Sequence, residues 1–360
     1  MFINNLLSVP PLWDALVAEK RPVLLYGTGN GADKILDVME YRGIGCAGVF
    51  ASDGFVRDRE FRGMKVMSYT DARAKFGDDT VILCAFGSTR SEVLDFLGLL
   101  NERHTLYIPD VPLFCDDLNP ELFTREYLLA NRDEIEECAG LWEDEESAKL
   151  YSELLAYRLS GKPEYLSRTE DFETSVRSLL PADTCRVIDG GAFTGDTARI
   201  FLSVFGDIRE IICAEPDPRT FRKLSAYAEA EPRVRAVNAA LGNTAGECEF
   251  SSSSGRSSAR ELQNRRSKAV RVPVVTADSL SSGKGKLLIK LDVEGSEAQA
   301  LEGARYAVTE EKAALSVALY HRTADIFRLP LAVRDMRRDL RFGLRRARCV
   351  PAWEITMFAR

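Results

Sequence analysis

Lys290, Asp292 and Glu294 alternate along Leu288-Ile289-Lys290-Leu291-Asp292-Val293-Glu294-Gly295, a run that is otherwise apolar up to its closing glycine. In an extended strand, period-two geometry puts all three on one face, at the C-terminal end. A lysine and two acids in such a setting are costly unless paired or functional. Asp292 or Glu294 could take the proton of a reacting hydroxyl, directly or by orienting His321, which follows the apolar stretch 315–320. An unperturbed histidine titrates near neutrality and suits base work; a purely structural His321 stays equally open. Lys290 reads as the ion-pair partner that orders the carboxylates, because a neutral lysine base needs a large pKa shift. Asp292 and Glu294 could also contribute to a Mg²⁺ site that gathers adjacent hydroxyls. The sequence offers no obvious remaining ligands, so no metal is expected.

A second constellation lies upstream. Val187-Ile188-Asp189-Gly190-Gly191-Ala192-Phe193-Thr194-Gly195-Asp196-Thr197 reads as a buried strand that ends on an acid, turns on glycines and enters a helix. Such a turn admits a ligand close to the backbone, and the helix start offers unpaired N–H groups. The next strand, Ile211-Ile212-Cys213-Ala214, ends at Glu215-Pro216-Asp217. A carboxylate at Glu215 can accept both ribose hydroxyls of an adenosine. That alone would also fit NAD and an NAD-dependent oxidoreductase. Two features tilt away from NAD: the turn departs from G-x-G-x-x-G, and Asp189 and Asp196 stand where a pyrophosphate would sit. Carboxylates repel phosphate but suit the cationic methionine end of S-adenosylmethionine. Asp196 could instead only stabilise the helix start through the dipole.

With these residues in view, the second half of the chain resembles the FkbM family of S-adenosylmethionine-dependent methyltransferases. The resemblance is carried by Val187–Ala192 with Gly195-Asp196-Thr197; by Ala214-Glu215-Pro216-Asp217-Pro218 with Phe221 and Leu224; by Lys290–Glu297 with Leu301 and Gly303; and by Tyr320-His321-Arg322 with Asp325. It implies a class I methyltransferase fold, a mostly parallel seven-stranded sheet with one reversed strand and helices on both faces. It implies methyl transfer to oxygen, typically on a sugar or a polyketide-type hydroxyl; a carbohydrate or sugar-nucleotide-like acceptor is the expectation taken forward. Carried over, it puts the methionine moiety near Asp189, Gly191 and Gly195, within a cofactor turn that includes Gly190, Ala192, Phe193, Asp196 and Thr197. It gives the ribose to Glu215, the adenine side to Pro216 and Asp217, and the base to the neighbourhood of Asn238. A cofactor-binding regulatory protein without turnover is the rival of another class.

The elements that must position these groups are strands over 186–190, 210–214, 234–238, 248–252, 270–275, 286–292, 313–319 and 353–358, with helices over 195–205, 217–229, 296–303 and 330–340. Together they make a domain over 170–360. A smaller Rossmann-like α/β domain is expected over 1–118: a helix at 11–19, strands at 22–26, 45–50 and 80–85, and a helix at 32–41. Its Gly27-Thr28-Gly29-Asn30-Gly31 turn departs from the dinucleotide spacing. Tight chain reversal is the leading reading; binding of a nucleotide or sugar nucleotide is the other. The flanking Val49–Gly54 and Phe61–Val66 stretches resemble N-terminal domains of several sugar-modifying enzymes. Residues 119–169 read as helical and acidic, with eight Asp or Glu and no Lys or Arg over 133–146. Apolar residues from Leu141 to Leu159 recur there at helical spacing, so packing on a neighbour with the acids as a solvated face is expected. Nine arginines against three aspartates over 322–348 read as a solvated helix face with a solubilising tail, or as a seat for an anionic substrate. Ser251–Ser258 reads as a surface loop. Trp353 and Phe358 should pack against the core.

The 360 residues allow two cores. A formal net charge of -7 argues against a general nucleic-acid binder. No apolar run reaches the ~18 residues of a membrane span, and the first residues lack a signal-peptide pattern. Eight cysteines without a CxxC, and two histidines, argue against zinc and disulfides and agree with a cytoplasmic protein. A homo-oligomer stays open.

Overall fold

A computed structural model describes residues 2–56, 60–111, 122–250 and 270–360. The expected Ser251–Ser258 loop and the boundary placed at 118/119 lie outside the described residues. The N-terminal sheet contains β1 (Val23–Tyr26), β2 (Gly48–Ala51), β3 (Glu60–Phe61), β4 (Met64–Ser68), β5 (Val81–Cys84) and β6 (Thr105–Tyr107), in the order β3-β4-β2-β1-β5-β6. All neighbours run parallel except the β3–β4 hairpin, which turns on Arg62 and Gly63 with φ 50 and 76. Its first glycine turn supports close packing. A Cβ at Gly27 would meet the Phe86 ring at 2.6 Å, and one at Gly31 the Ala85 carbonyl at 2.5 Å. Asp53, the nearest acid, spends its carboxylate on Thr70, accepting from N at 3.1 Å and from Oγ1 at 2.7 Å.

The C-terminal sheet is built from β7 (Thr184–Gly190), β8 (Glu210–Ala214), β9 (Val234–Val237), β13 (Lys286–Leu291), β14 (Ala314–Ala318), β15 (Phe342–Arg346) and β16 (Ile355–Ala359). Their order is β15-β16-β14-β13-β7-β8-β9. β16 alone runs against its neighbours. This is the seven-stranded class I methyltransferase arrangement with its reversed strand. β10 (Ala240–Leu241), β11 (Gly246–Phe250) and β12 (Val270–Val275) form a separate three-stranded sheet, so the segments expected near 248 and 270 stand apart from the main one. All seven residues of β7 are buried, as a strand covered on both faces requires. The strand order reverses between β7 and β13, and ligands in such sheets bind at the strand ends beside that point.

The arginine-rich stretch corrects the sequence reading. The helix runs over Asp325–Met336 rather than 330–340, and the supposed tail is β15. Its arginines face the acidic helices: Arg328 pairs with Glu134 at 3.1 Å, Arg334 with Glu137 at 2.6 Å, Arg341 with Glu143 at 3.0 Å and Arg345 with Asp144 at 3.3 Å. The acids are therefore largely partnered rather than a bare solvated face. Each surface pair is worth little alone; as a row they fix how the acidic helices dock on the sheet. Arg346 is 1% exposed and donates to the carbonyls of Cys349, at 2.8 Å, and Leu166. These five arginines are structural, and the anionic-substrate alternative loses them. Phe358 is fully buried. Trp353 instead meets the N-terminal domain, where a Cβ at Gly87 would lie 2.0 Å from its ring. The seven described cysteines are free thiols.

Candidate active site

Asp189 and Lys290 stand opposite each other in the β7–β13 register. In-register neighbours of parallel strands share a face, and the ammonium lies 3.1 Å from the carboxylate, with both side chains buried. Lys290 Nζ also donates to the carbonyls of Gly190 and Gly191, at 3.2 and 3.0 Å, and the Thr197 hydroxyl donates to Asp189. Burial pulls the Lys290 pKa down, but the charges of Asp189 and Asp292 override it and hold it above the ordinary lysine range. Lys290 is thus a permanent cation that ties the glycine turn to the sheet. It offers no free amine for proton abstraction.

The turn depends on its glycines. Gly191 has φ 72, and a Cβ there would fall 1.8 Å from the Asp292 carbonyl oxygen. Gly195 has φ 83, and its missing Cβ leaves room for Tyr227. The N–H groups of Gly191 and Ala192 are taken by the Ala214 carbonyl, at 3.0 and 3.1 Å. Phe193 is 57% exposed, and Asp196 opens the helix Asp196–Val204. Glu215, at the end of β8, accepts from Phe193 N at 3.0 Å with Oε2 and from Asp217 N at 2.9 Å with Oε1. A carboxylate has about four acceptor positions, so each oxygen keeps one lone pair. Asn238 donates to the carbonyls of Glu215 and Pro216, at 2.8 and 3.2 Å. Asp217 caps the helix Pro218–Ala230.

The second group gathers around His321. β13 ends at Leu291, so the expected alternation stops there, and a turn carries Asp292 and Glu294 to His321, with Asp292 still acting on Lys290 through its charge. Glu294 has φ 54 and Gly295 φ 88. His321 is 1% exposed; its Nε2 lies 3.5 Å from Asp292 Oδ1 and 3.6 Å from Glu294 Oε2. Nδ1 lies 2.9 Å from Glu297 Oε1, and that oxygen also accepts from Val293 N at 2.8 Å. Tyr320 donates to Asp292 at 3.0 Å. Arg322 donates to the Gly295 carbonyl at 2.8 Å. Burial pulls the imidazole pKa down, but the hydrogen bond and charge of Glu297, then Asp292 and Glu294, hold it at about 9. The unperturbed value that made His321 a base near neutrality does not apply in this setting.

Two participants escaped sequence reasoning. Glu297 was read as one letter of a motif; the fold buries it beneath His321, and a buried acid just past a glycine turn was its only signal. Glu354, read as part of the closing strand, precedes β16 with φ 57 and feels the charges of Asp292, Lys290 and His321. Nothing local marks it.

Residues 189–342 match the model of the methyltransferase FkbM domain. None of the curated proteins matches the chain. The crystal structure of methyltransferase FkbM from Methylobacillus flagellatus KT is similar over 100% of this chain and 99% of that one, with TM-score 0.72 and 18% identity. That likeness is one of fold and covers both domains. Looser likenesses include a putative rRNA methylase from Clostridium thermocellum (TM-score 0.30, 11% identity, 52% of this chain and 90% of that one). Another is Aeropyrum pernix fibrillarin with natively bound S-adenosyl-L-methionine (0.32, 14%, 52% and 73%). Neither bears on function. Among the described residues, no helix is long and apolar enough to cross a membrane.

Proposed function

We propose that this chain, whose residues 189–342 match the methyltransferase FkbM domain, uses S-adenosylmethionine to methylate a hydroxyl of a carbohydrate or sugar-nucleotide-like acceptor. The observation that carries the reading is the pairing of two different groups past the C-terminal ends of the interior strands: a glycine turn beside Glu215 and a carboxylate–histidine group around His321. The residues fit the cofactor. Glu215 keeps two lone pairs for two vicinal hydroxyls, beside a turn that the absent Cβ of Gly191 lets lie against the Asp292 carbonyl. Asp196 supplies negative charge for a sulfonium-bearing amino acid. Bound there, S-adenosylmethionine supplies an electrophilic methyl group.

The chain's own residues do the rest. Lys290 holds the carbonyls of Gly190 and Gly191 in place. Asn238 fixes the Glu215–Pro216 backbone. Asp292 and Glu294 reach the surface with side chains 34% and 63% exposed, where an acceptor hydroxyl can approach. They draw its proton as the new O–C bond forms, while protonated His321 and Tyr320 orient them. Orientation of the hydroxyl is the larger contribution, since positioning supplies most of the barrier reduction in such transfers.

The test is mass-spectrometric detection of methyl transfer from S-adenosylmethionine to a panel of free sugars, sugar nucleotides and non-sugar alcohols. A mass gain of one methyl group on a sugar hydroxyl, lost in the Asp292→Asn/Glu294→Gln variant, is expected. Transfer only to nitrogen or to non-sugar alcohols overturns the acceptor class; unchanged transfer in the variant overturns the carboxylate assignment.

A further inference from the structure

A buried arginine, distant in sequence, grips the segment that carries His321. Arg158 lies near the end of the helix Glu145–Ser160, in the stretch 154–160 where every residue is buried, and its own side chain is 2% exposed. A guanidinium in such a place is costly unless its donors are met. Two of its nitrogens turn to the main chain. Nη1 donates to the Thr323 carbonyl at 2.7 Å and Nη2, more loosely, to the Leu319 carbonyl at 3.5 Å. Those carbonyls stand on either side of Tyr320-His321-Arg322, so one planar fork spans the segment. Nε lies 3.5 Å from Asp110 Oδ2. Asp110 follows β6, the edge strand of the N-terminal sheet, and is fixed there because Ile108 N donates to the Gly161 carbonyl, just past the helix, at 2.7 Å.

The segment depends on such a hold. Nδ1 of His321 meets Glu297 Oε1 at 2.9 Å, and Tyr320 donates to Asp292 at 3.0 Å. A displacement of about 1 Å takes either contact out of hydrogen-bond range. Leu319 N donates to the Ile355 carbonyl at 2.9 Å and Arg322 N to Asp325 at 2.9 Å, which secures the segment within its own domain. The Arg158 fork ties it to Asp110. We propose that Arg158, held by Asp110, is the positioning residue that sets His321 against Glu297, so that the N-terminal domain serves the group around His321. The use of that placement in catalysis rests on the methyl-transfer reading. Charge and grip act on the imidazole with opposite signs: loss of a nearby cation raises its titration midpoint, whereas loss of the Glu297 contact lowers it.

The experiment follows the imidazoles of the full-length protein by NMR against pH, with chelator present and without cofactor or acceptor. The chain has two histidines, so His104→Gln assigns the signals. His321 should titrate near 9 in the unaltered protein. Arg158→Lys keeps a cation beside Asp110, and so the fold, but offers no fork; it should lower the midpoint by about one pH unit or more. Arg346→Lys, at a buried arginine that grips the Leu166 and Cys349 carbonyls, controls for general loosening and should leave it unchanged. The carboxylates that act on the ring, Glu297, Asp292, Glu294, Asp325 and Glu354, are intact in every variant. Asp110→Asn should lower the midpoint in the unaltered protein but not further in Arg158→Lys, because Asp110 acts through Arg158. An unchanged or raised midpoint in Arg158→Lys, or an equal fall in Arg346→Lys, overturns the proposal; the same fall from Asp110→Asn in both backgrounds overturns the part given to the N-terminal domain. Calorimetry with S-adenosylhomocysteine keeps the readings apart: no binding by the unaltered protein removes the methyl-transfer reading and leaves the His321 result standing.

Discussion

Replacing Lys290 with methionine tests the tie between the glycine turn and the sheet. The side chain is 7% exposed and its ammonium faces a carboxylate of zero exposure. Removing one partner of a buried ion pair costs about 3–5 kcal/mol, because the other charge is left uncompensated. The carbonyls of Gly190 and Gly191 lose their donor as well, which adds about 1 kcal/mol apiece. The Asp189→Asn/Lys290→Met variant removes the stranded charge but not the carbonyl loss. It should therefore recover about 2–3 kcal/mol relative to Lys290→Met, as expected for groups in contact. Two domains make global unfolding a poor gauge, so the readout is amide hydrogen exchange in peptides covering β7 and β13. Lys290→Met should speed exchange there by about 100-fold or more, and the double variant should return most of that protection. Exchange unchanged by Lys290→Met, or equally fast in the double variant, refutes the reasoning.

Glu215→Gln should weaken S-adenosylhomocysteine about 100-fold, through loss of two charge-assisted hydrogen bonds of about 1.5 kcal/mol each; calorimetry giving an unchanged affinity contradicts the role. Gly191→Ala combines a left-handed backbone with overlap on the Asp292 carbonyl. It should cost about 2–4 kcal/mol, seen as faster amide exchange in peptides covering β7 together with lost cofactor binding; unaltered exchange contradicts the close approach. Arg346→Met strands buried carbonyls and should cost about 2–4 kcal/mol. Arg341→Ala, at a surface pair, should cost about 0.5 kcal/mol or less, so equal changes in amide exchange over β15 would mean that burial does not separate the two arginines.

Much of the glycine-turn half of the candidate site was legible because its signals are local. Asp189 closing an apolar strand, the glycines after it and Glu215 ending the next strand are short-range patterns, and the sheet brings them together at its switch point. The half around His321 was less legible. Alternation placed Lys290, Asp292 and Glu294 together, but the strand stops at Leu291, so the lysine serves Asp189 while the acids serve His321. Only strand register pairs Asp189 with Lys290, and only the tertiary fold slides Glu297 beneath His321. The arginine-rich stretch misled because charge density suggests solvent. Its partners are the acids of residues 134–144, and composition carries no record of which distant segments meet.

The central claim is tested most directly by calorimetric titration of the purified protein with S-adenosylmethionine, S-adenosylhomocysteine and NAD in parallel. The account predicts saturable one-to-one binding of the first two and none of NAD; binding of NAD without either of the others contradicts it.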